Sequence, residues 1–328
     1  MSKLRRAVNN VNLRSFRFWL QIAFFILFVY GGYFAITLGN NLPTFSCGFN
    51  QEGRPGVCFL LPMQHLLAAD WSRLFGFMGI GVLVAFLTFA LWFIFLNKAW
   101  CGYACPLGTI QDWITSLRTK LGVRYSSYSE EQFKKLKVVK YVLLALTVLI
   151  PLGIGGALLP HSMGTPFCEI CPGRMILPLF SGDTSQLTID FSTKSSMILT
   201  GLGMLITGLF FVGAFVKKRF FCFFCPMSAL LYLFSKPALL NLKKDGDKCT
   251  RCGDCYRVCD MEIKEIADDV EQTNIMQDDC IMCMKCVAAC PEEGALKATF
   301  IGLPIFESTE EGFIKRMNQH QEPNNDAS

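Results

Sequence analysis

Cysteines carry most of the chemistry open to this chain. Between residues 249 and 290 they fall in two runs. Cys249, Cys252 and Cys255 are spaced C-x2-C-x2-C, with Cys259 three residues further on. Cys280, Cys283, Cys286 and Cys290 repeat the pattern, and Pro291 follows. Three closely spaced thiolates wrap one side of a 4Fe–4S cubane, and the fourth ligand comes from a distant segment. Where two such runs occur together, the fourth cysteine of each ligates the other cluster. The spacing therefore predicts one cluster on Cys249, Cys252, Cys255 and Cys290, and a second on Cys280, Cys283, Cys286 and Cys259. Zinc also favours C-x2-C pairs, but two complete four-cysteine runs point to iron and sulfide. Asp260 stands where proline usually follows such a run, a change that bears on solvation and potential but not on ligand count.

The other eight cysteines form four pairs. Cys101 and Cys105 lie in CGYACPLG and Cys222 and Cys225 in CFFCP; Cys47 and Cys58 lie further upstream, and Cys168 and Cys171 lie in CEICP. The elements that must position them are apolar. Four runs, at about 18–38, 74–96, 138–159 and 196–216, are long enough for a helix to cross ~30 Å of hydrocarbon. The first is too long for a signal-peptide core and has no clear small-residue cleavage site after it, so it reads as an uncleaved span. Lys3, Arg5, Arg6, Arg14 and Arg17 precede it. Lys98, Arg118, Lys120, Arg124, Lys134, Lys135, Lys137 and Lys140 separate the second and third spans, and Lys217, Lys218 and Arg219 follow the fourth. The two remaining loops hold only Arg54, Arg73, Arg174 and Lys194. That asymmetry puts both termini in the cytoplasm, with the chain in a bacterial inner membrane.

This arrangement reads as a duplication, each half being a span, an outer cysteine pair, a second span and an inner cysteine pair. Packed around a pseudo-two-fold axis, the halves gather four cysteines at each face. Four thiolates match the ligand number of one 4Fe–4S cluster. The expectation is an inner cluster on Cys101, Cys105, Cys222 and Cys225, and an outer one on Cys47, Cys58, Cys168 and Cys171. A reducing cytoplasm disfavours disulfides at the inner pairs. Outside, two disulfides, Cys47–Cys58 and Cys168–Cys171, are the alternative.

Composition agrees with a chain part in lipid and part in water: 328 residues, 52% hydrophobic, with a mean hydropathy of +0.37. Sixteen cysteines in so long and apolar a chain do not read as a small secreted disulfide scaffold. The net charge of +5 is mild, and no basic tract with interleaved aromatics suggests nucleic acid. The predicted architecture is an all-α membrane domain of four transmembrane helices in two pseudo-repeated hairpins, joined to a small α+β two-cluster ferredoxin-like domain. Its divisions are an N-terminal tail at 1–17, the membrane domain at 18–242, the soluble domain at 243–306 and a loose polar tail at 307–328. Residues 226–242 read as an interfacial helix broken near Pro237.

CGYACPLGTIQ, CFFCP and the double C-x2-C-x2-C-x3-C unit together resemble the NapH, NosR and CcoG group of membrane polyferredoxins, over about residues 70–300. The resemblance implies electron transfer, from quinol or a cytoplasmic donor toward a periplasmic redox partner such as a multihaem cytochrome or a reductase. It implies no terminal catalytic site on this chain, although a quinol-dehydrogenase role is open. The motif at Cys222 is C-x2-C-P where the group commonly has C-x3-C-P. Two rival readings stand beside it: a DsbB-like thiol/quinone oxidoreductase using the outer cysteines, and a CcoG-like metal-cofactor assembly factor. His65 and His161 near the outer face, with Asp70, are candidates for haem or quinol chemistry, against the plainer reading of interfacial polar residues. His320 lies in the tail. No C-x-x-C-H motif exists for covalent haem. Ser181-Gly182-Asp183-Thr184 resembles a covalent flavin site only faintly and is ordinary loop chemistry. The near absence of ionisable residues from the spans argues against a pump.

Overall fold

The computed structural model describes residues 12–71, 77–124, 126–159 and 165–314. Helix α1 (Leu13–Tyr30) starts where Asn12 Oδ1 accepts the amides of Arg14 and Ser15 at 3.2 and 3.4 Å. A single 3-10 turn, Gly31–Phe34, extends it into a 22-residue candidate span. It begins before the apolar run does, because Arg17 on its inward face has buried partners and need not reach water. A parallel pair of short strands follows, β1 (Gly39–Thr44) and β2 (Gly56–Cys58), then α2 (Leu60–Leu67). Helix α3 (Phe77–Leu96) is apolar throughout, and α4 (Pro106–Lys120) is short and partly polar.

Helix α5 (Glu130–Gly155) opens on a capping box in which Ser129 and Gln132 satisfy each other's amides. It starts eight residues before the apolar run at 138, and its polar first turns pack on the soluble domain. Short helices α6 (Pro166–Ile170) and α7 (Pro172–Phe180) follow, then α8 (Lys194–Val216) and α9 (Pro226–Leu233). Among the described residues, helices α1, α3, α5 and α8 are the four long and apolar enough to cross a membrane. Their exposed side chains, such as Leu83, Leu91, Val142, Leu149, Leu205 and Val212, suit lipid contact.

Residues 240–308 form a small unit on one antiparallel sheet of order β3 (Leu240–Lys244), β4 (Leu296–Phe300), β5 (Leu303–Glu307). One-turn helices α10 (Asp254–Arg257), α11 (Glu265–Asp268) and α12 (Lys285–Ala289) carry the cysteine loops. Leu240 pairs with Phe300 and Lys244 with Leu296. Lys244 is buried and donates to the carbonyls of Ile266, Ala267 and Asp269 at 2.8, 3.0 and 2.6 Å, so it closes the loop beneath the first cysteine run. The expected interfacial helix at 226–242 is corrected here. The helix stops at Leu233, four residues before Pro237, and the sheet already starts at Leu240, ahead of the expected boundary at 243. The Leu239 amide donates to Ile94 O at 2.8 Å, which ties the sheet to the end of α3.

Candidate cluster sites

In the soluble unit two cavities are bounded by cysteines. One is lined by Cys259, Cys280, Cys283 and Cys286 with Leu242, Ile263 and Ile266; the other by Cys249, Cys252, Cys255 and Cys290 with Lys244 and Leu296. The fourth cysteine of each run thus lines the cavity of the other run. The wrapping depends on left-handed backbone at matching places: Arg251 (φ +56°) and Gly253 (φ +80°) in the first run, Met282 (φ +51°) and Met284 (φ +59°) in the second. Such residues curl the chain so that alternate side chains converge.

Four cysteines precede proline and share one backbone geometry: Cys105 (φ −70°, ψ 117°), Cys171 (φ −68°, ψ 129°), Cys225 (φ −72°, ψ 116°) and Cys290 (φ −78°, ψ 124°). Proline excludes the helical region for the residue before it and suits the first position of a helix. Each of the first three cysteines therefore sits at the N-terminal end of a helix, α4, α7 or α9. Burial pushes their thiols up, Cys105 to about 11 and Cys225 to about 12. Nearby thiols add to the rise, and the backbone amides of Leu107 and Gly108, or of Met227 and Ser228, oppose it. Burial likewise pushes Cys47 to about 11 and Cys58 to about 12. Buried thiolates crowded together need a cationic centre and N–H donors to stay ionised. That donor chemistry fits an iron–sulfur cluster. All sixteen thiols are free.

Six of the membrane-domain cysteines, Cys47, Cys58, Cys101, Cys168, Cys171 and Cys225, pack against two apolar clusters of the helix bundle. Cys101 is within electrostatic reach of Cys105, Cys222 and Cys225. Cys168 senses Cys47 and Cys58, and Cys171 senses Cys47 and Cys168. Cys58, Cys101, Cys168, Cys171 and Cys225 all pack against one apolar cluster that includes Phe89, Phe93 and Met227. Cys47, Cys171 and Cys225 pack against a second apolar cluster that includes Phe25, Ile176 and Phe210. Cys101 and Cys222 also pack against the core of the soluble unit. The loop of Cys168 and Cys171 is not at the end of a span. A Cβ on Gly203 would lie 2.6 Å from Glu169 O and 3.5 Å from Ile170 Cα, so this glycine admits the loop. Gly203 is nine residues into α8, ~14 Å along it. The Cys168–Cys171 loop, expected at an outer face, therefore packs against α8 well inside its N-terminal end.

Buried charges fasten the soluble unit to the membrane domain. Asp112 on α4 accepts from Arg17 on α1 at 2.7 Å and from Arg219, before the Cys222 loop, at 2.6 and 2.8 Å. Arg17 also reaches Asp260 at 3.2 Å, and Lys285 reaches Asp260 at 2.6 Å. Arg219 is 1% exposed and donates to Cys101 O at 3.1 Å. Asp260, in the place of the usual proline, is thus an ionic link between the second cysteine cavity and the membrane domain. Burial opposes its ionisation, but Lys285 and Arg17 outweigh that and hold its carboxyl far below the ordinary range. Gly102 O accepts from Arg17 at 3.3 Å and from Gln21 at 3.1 Å, while Tyr103 Oη donates to Cys283 O at 3.2 Å. On the far side, Lys140 meets Asp279 at 2.5 Å and Asp278 at 3.2 Å, and Lys98 donates to Asp278 O.

Residues 78–124 and 199–244 each match a family of 4Fe-4S binding domains, and residues 241–291 match a family of 4Fe-4S dicluster domains. The ferredoxin-type protein NapH of Haemophilus influenzae is 24% identical over 290 residues, covering 85% of this chain and 88% of its own. The putative electron transport protein YccM of Escherichia coli is 26% identical over 250 residues, 74% of this chain and 64% of its own length. The regulatory protein NosR of Pseudomonas aeruginosa is 25% identical over 258 residues, 78% of this chain and 32% of its own. The chain is thus similar to membrane proteins of the NapH and NosR type and carries matches to 4Fe-4S binding domains. No solved structure matches it.

Its four long apolar helices suit a multi-pass membrane protein, and its matched domains are 4Fe-4S binding domains. Two buried glutamines, Gln64 and Gln111, lie beside Cys168 and Cys222 and are not evident from their place in the sequence. The signal available was their position, each six residues after a cysteine of its quartet, Cys58 or Cys105. Lys98 and Lys140, read as topology signals, meet the soluble unit, Lys98 through the Asp278 carbonyl and Lys140 through an ion pair with Asp279. His65 and Asp70 are exposed beyond the outer quartet. His161, His320, residues 1–11 and the tail from 315 lie outside the described residues. Ser181 donates to Asn50 Oδ1 at 3.0 Å and Asp183 accepts the Ser185 amide at 2.8 Å, which is turn chemistry.

Proposed function

We propose that the sixteen cysteines hold four 4Fe–4S clusters and that the protein relays electrons across a bacterial inner membrane. The relay joins a cytoplasmic donor or the quinone pool to a periplasmic redox partner. Both termini then lie in the cytoplasm, in line with the Lys and Arg asymmetry. Clusters on Cys249, Cys252, Cys255 and Cys290 and on Cys280, Cys283, Cys286 and Cys259 form the soluble end. An inner cluster takes Cys101, Cys105, Cys222 and Cys225, and an outer one takes Cys47, Cys58, Cys168 and Cys171. When bound, such clusters supply one-electron redox chemistry at potentials set by burial and by hydrogen bonds to sulfur. The chain's part is to fix their spacing and surroundings.

The observation that carries the reading is continuity. Cys101 and Cys222 pack against the soluble core, and Cys101 and Cys225 share with Cys58, Cys168 and Cys171 one apolar cluster around Phe89 and Phe93. A bilayer-wide gap of ~30 Å, the obstacle to a relay with sites at opposite faces, is divided because the Cys168–Cys171 loop reaches the middle of α8. A thiol/quinone oxidoreductase would give the outer cysteines work and leave the inner quartet and soluble unit none. The test is directional. In sealed vesicles a membrane-impermeant reductant applied on the soluble-unit side reduces every EPR-visible centre. Reduction that stops at the soluble pair contradicts the relay.

A further inference from the structure

The two membrane quartets are built on one plan, and each contains a buried glutamine in the same relation to it. Gln64 on α2 is fully buried; its Oε1 accepts the Phe167 amide at 3.1 Å, and its Nε2 donates to Leu60 O at 2.9 Å and to Cys168 Sγ at 3.1 Å. Gln111 on α4 is 1% exposed. Its Oε1 accepts the Phe221 amide at 2.9 Å, and its Nε2 donates to Leu107 O at 3.3 Å and lies 3.9 Å from Cys222 Sγ. In both, the acceptor is the residue four back on the glutamine's own helix. In both, the amide taken belongs to the phenylalanine just before the cysteine contacted.

The sequence carries the same correspondence. Cys58 and Gln64 match Cys105 and Gln111 as C-x5-Q, and residues 167–172 match 221–226 as F-C-x2-C-P. Each glutamine comes from the segment that supplies two cysteines and reaches a cysteine supplied by the other segment. The amide orientation is fixed from both ends, because a backbone N–H demands the oxygen and a backbone carbonyl demands the NH2 group. That leaves a side-chain N–H for the sulfur. Consecutive spans run in opposite directions, so units that repeat span after span form an inverted pair, a known membrane architecture.

We infer that Gln64 and Gln111 are matched positioning residues, each donating a hydrogen bond to one cluster ligand, Cys168 or Cys222, and raising the potential of its own membrane cluster. A hydrogen bond to sulfur withdraws negative charge and favours the reduced state. A glutamine kept only for packing would have no bearing on potential. The shorter contact at Gln64 gives the outer site the stronger effect. This inference rests on the proposed loading of both quartets.

The test uses the full chain in detergent, with potentiometric EPR titration of wild type, Gln64→Leu and Gln111→Leu. The expected result is a more negative midpoint for one membrane-domain centre in the Gln64 variant and for a different centre in the Gln111 variant. The soluble pair stays unchanged. Gln64→Glu and Gln111→Glu keep an acceptor for the phenylalanine amide and remove the N–H, so they lower the same midpoints and guard against a leucine variant that does not fold. Midpoints unmoved in fully loaded variants overturn the inference and leave the relay intact. One and the same centre moving in both variants also overturns it. A wild-type chain that loads only one membrane quartet overturns the inference together with the loading it rests on, and iron analysis of the same sample tells these outcomes apart.

Discussion

Gly102→Ala is the substitution that most directly probes how the soluble unit seats on the membrane domain. Gly102 lies between Cys101 and Tyr103, and an added Cβ would sit 2.4 Å from Ile281 O and 3.5 Å from the Cys283 amide nitrogen. Real Cβ contacts essentially never fall below 3.0 Å, so one backbone must retreat by at least ~0.6 Å. Neither can do so freely. Withdrawing the soluble loop breaks the 3.2 Å bond from Tyr103 to Cys283 O, and withdrawing the Gly102 loop breaks the bonds from Arg17 and Gln21. Overpacking of this kind costs about 1–3 kcal/mol, and a lost hydrogen bond adds ~1 kcal/mol. The assay is thermal unfolding of the solubilised protein, with EPR spin coupling between inner and soluble centres read on the same samples. Gly102→Ala is expected to lower the unfolding temperature and weaken that coupling. Gly201→Ala, whose Cβ would meet nothing within 4 Å, is expected to do neither, since alanine is favoured in a helix by ~1 kcal/mol. A Gly102→Ala protein as stable and as strongly coupled as wild type would refute the packing argument.

Asp112→Asn leaves Arg17 and Arg219 buried without their shared carboxylate, so a loss of about 3–5 kcal/mol is expected. Glu131→Gln breaks only the exposed pair with Lys135 and is expected to change stability by under ~0.5 kcal/mol; chemical denaturation compares the two. Burial works against ionisation of Asp112, but Arg219 and Arg17 outweigh it and hold the carboxyl below its ordinary 3.8. Its contribution is therefore complete above that value and fades as pH falls below it. A denaturation series should show that decline shrink in Asp112→Asn. Gly253→Ala meets no atom within 4 Å but forces a side chain to φ +80°, so about 1–2 kcal/mol of backbone strain should appear as faster cluster loss to a chelator from the first cysteine run.

The cysteine runs and the four long apolar helices are legible because ligand spacing and apolar length are local signals. Depth is not. Nothing local says that Gly203 lacks a side chain in order to admit Glu169 and Ile170, so the Cys168–Cys171 loop read as lying at a surface. The strand at 240–244 was hidden in the same way: Leu240 and Leu242 alternate as a strand should, but they continue an apolar stretch that also suits a helix. Left-handed backbone was legible at Gly253 and not at Met282 or Met284, where the convergence of thiols overrides residue preference. Arg17, Lys98 and Lys140 served the positive-inside argument, yet each has a specific buried partner that only the folded chain brings near. Gln64 and Gln111 are not legible in the sequence, because a lone glutamine after a cysteine has no chemistry until the other half of the site arrives.

The central claim is that all four quartets hold clusters, and iron with acid-labile sulfide per anaerobically purified full-length chain tests it most directly. Four cubanes give about sixteen iron and about sixteen sulfide per chain, and Cys47→Ser and Cys168→Ser should each lower both counts by about four and remove the same EPR signal. A wild-type chain holding about twelve of each, with two intact disulfides at Cys47–Cys58 and Cys168–Cys171, would contradict it.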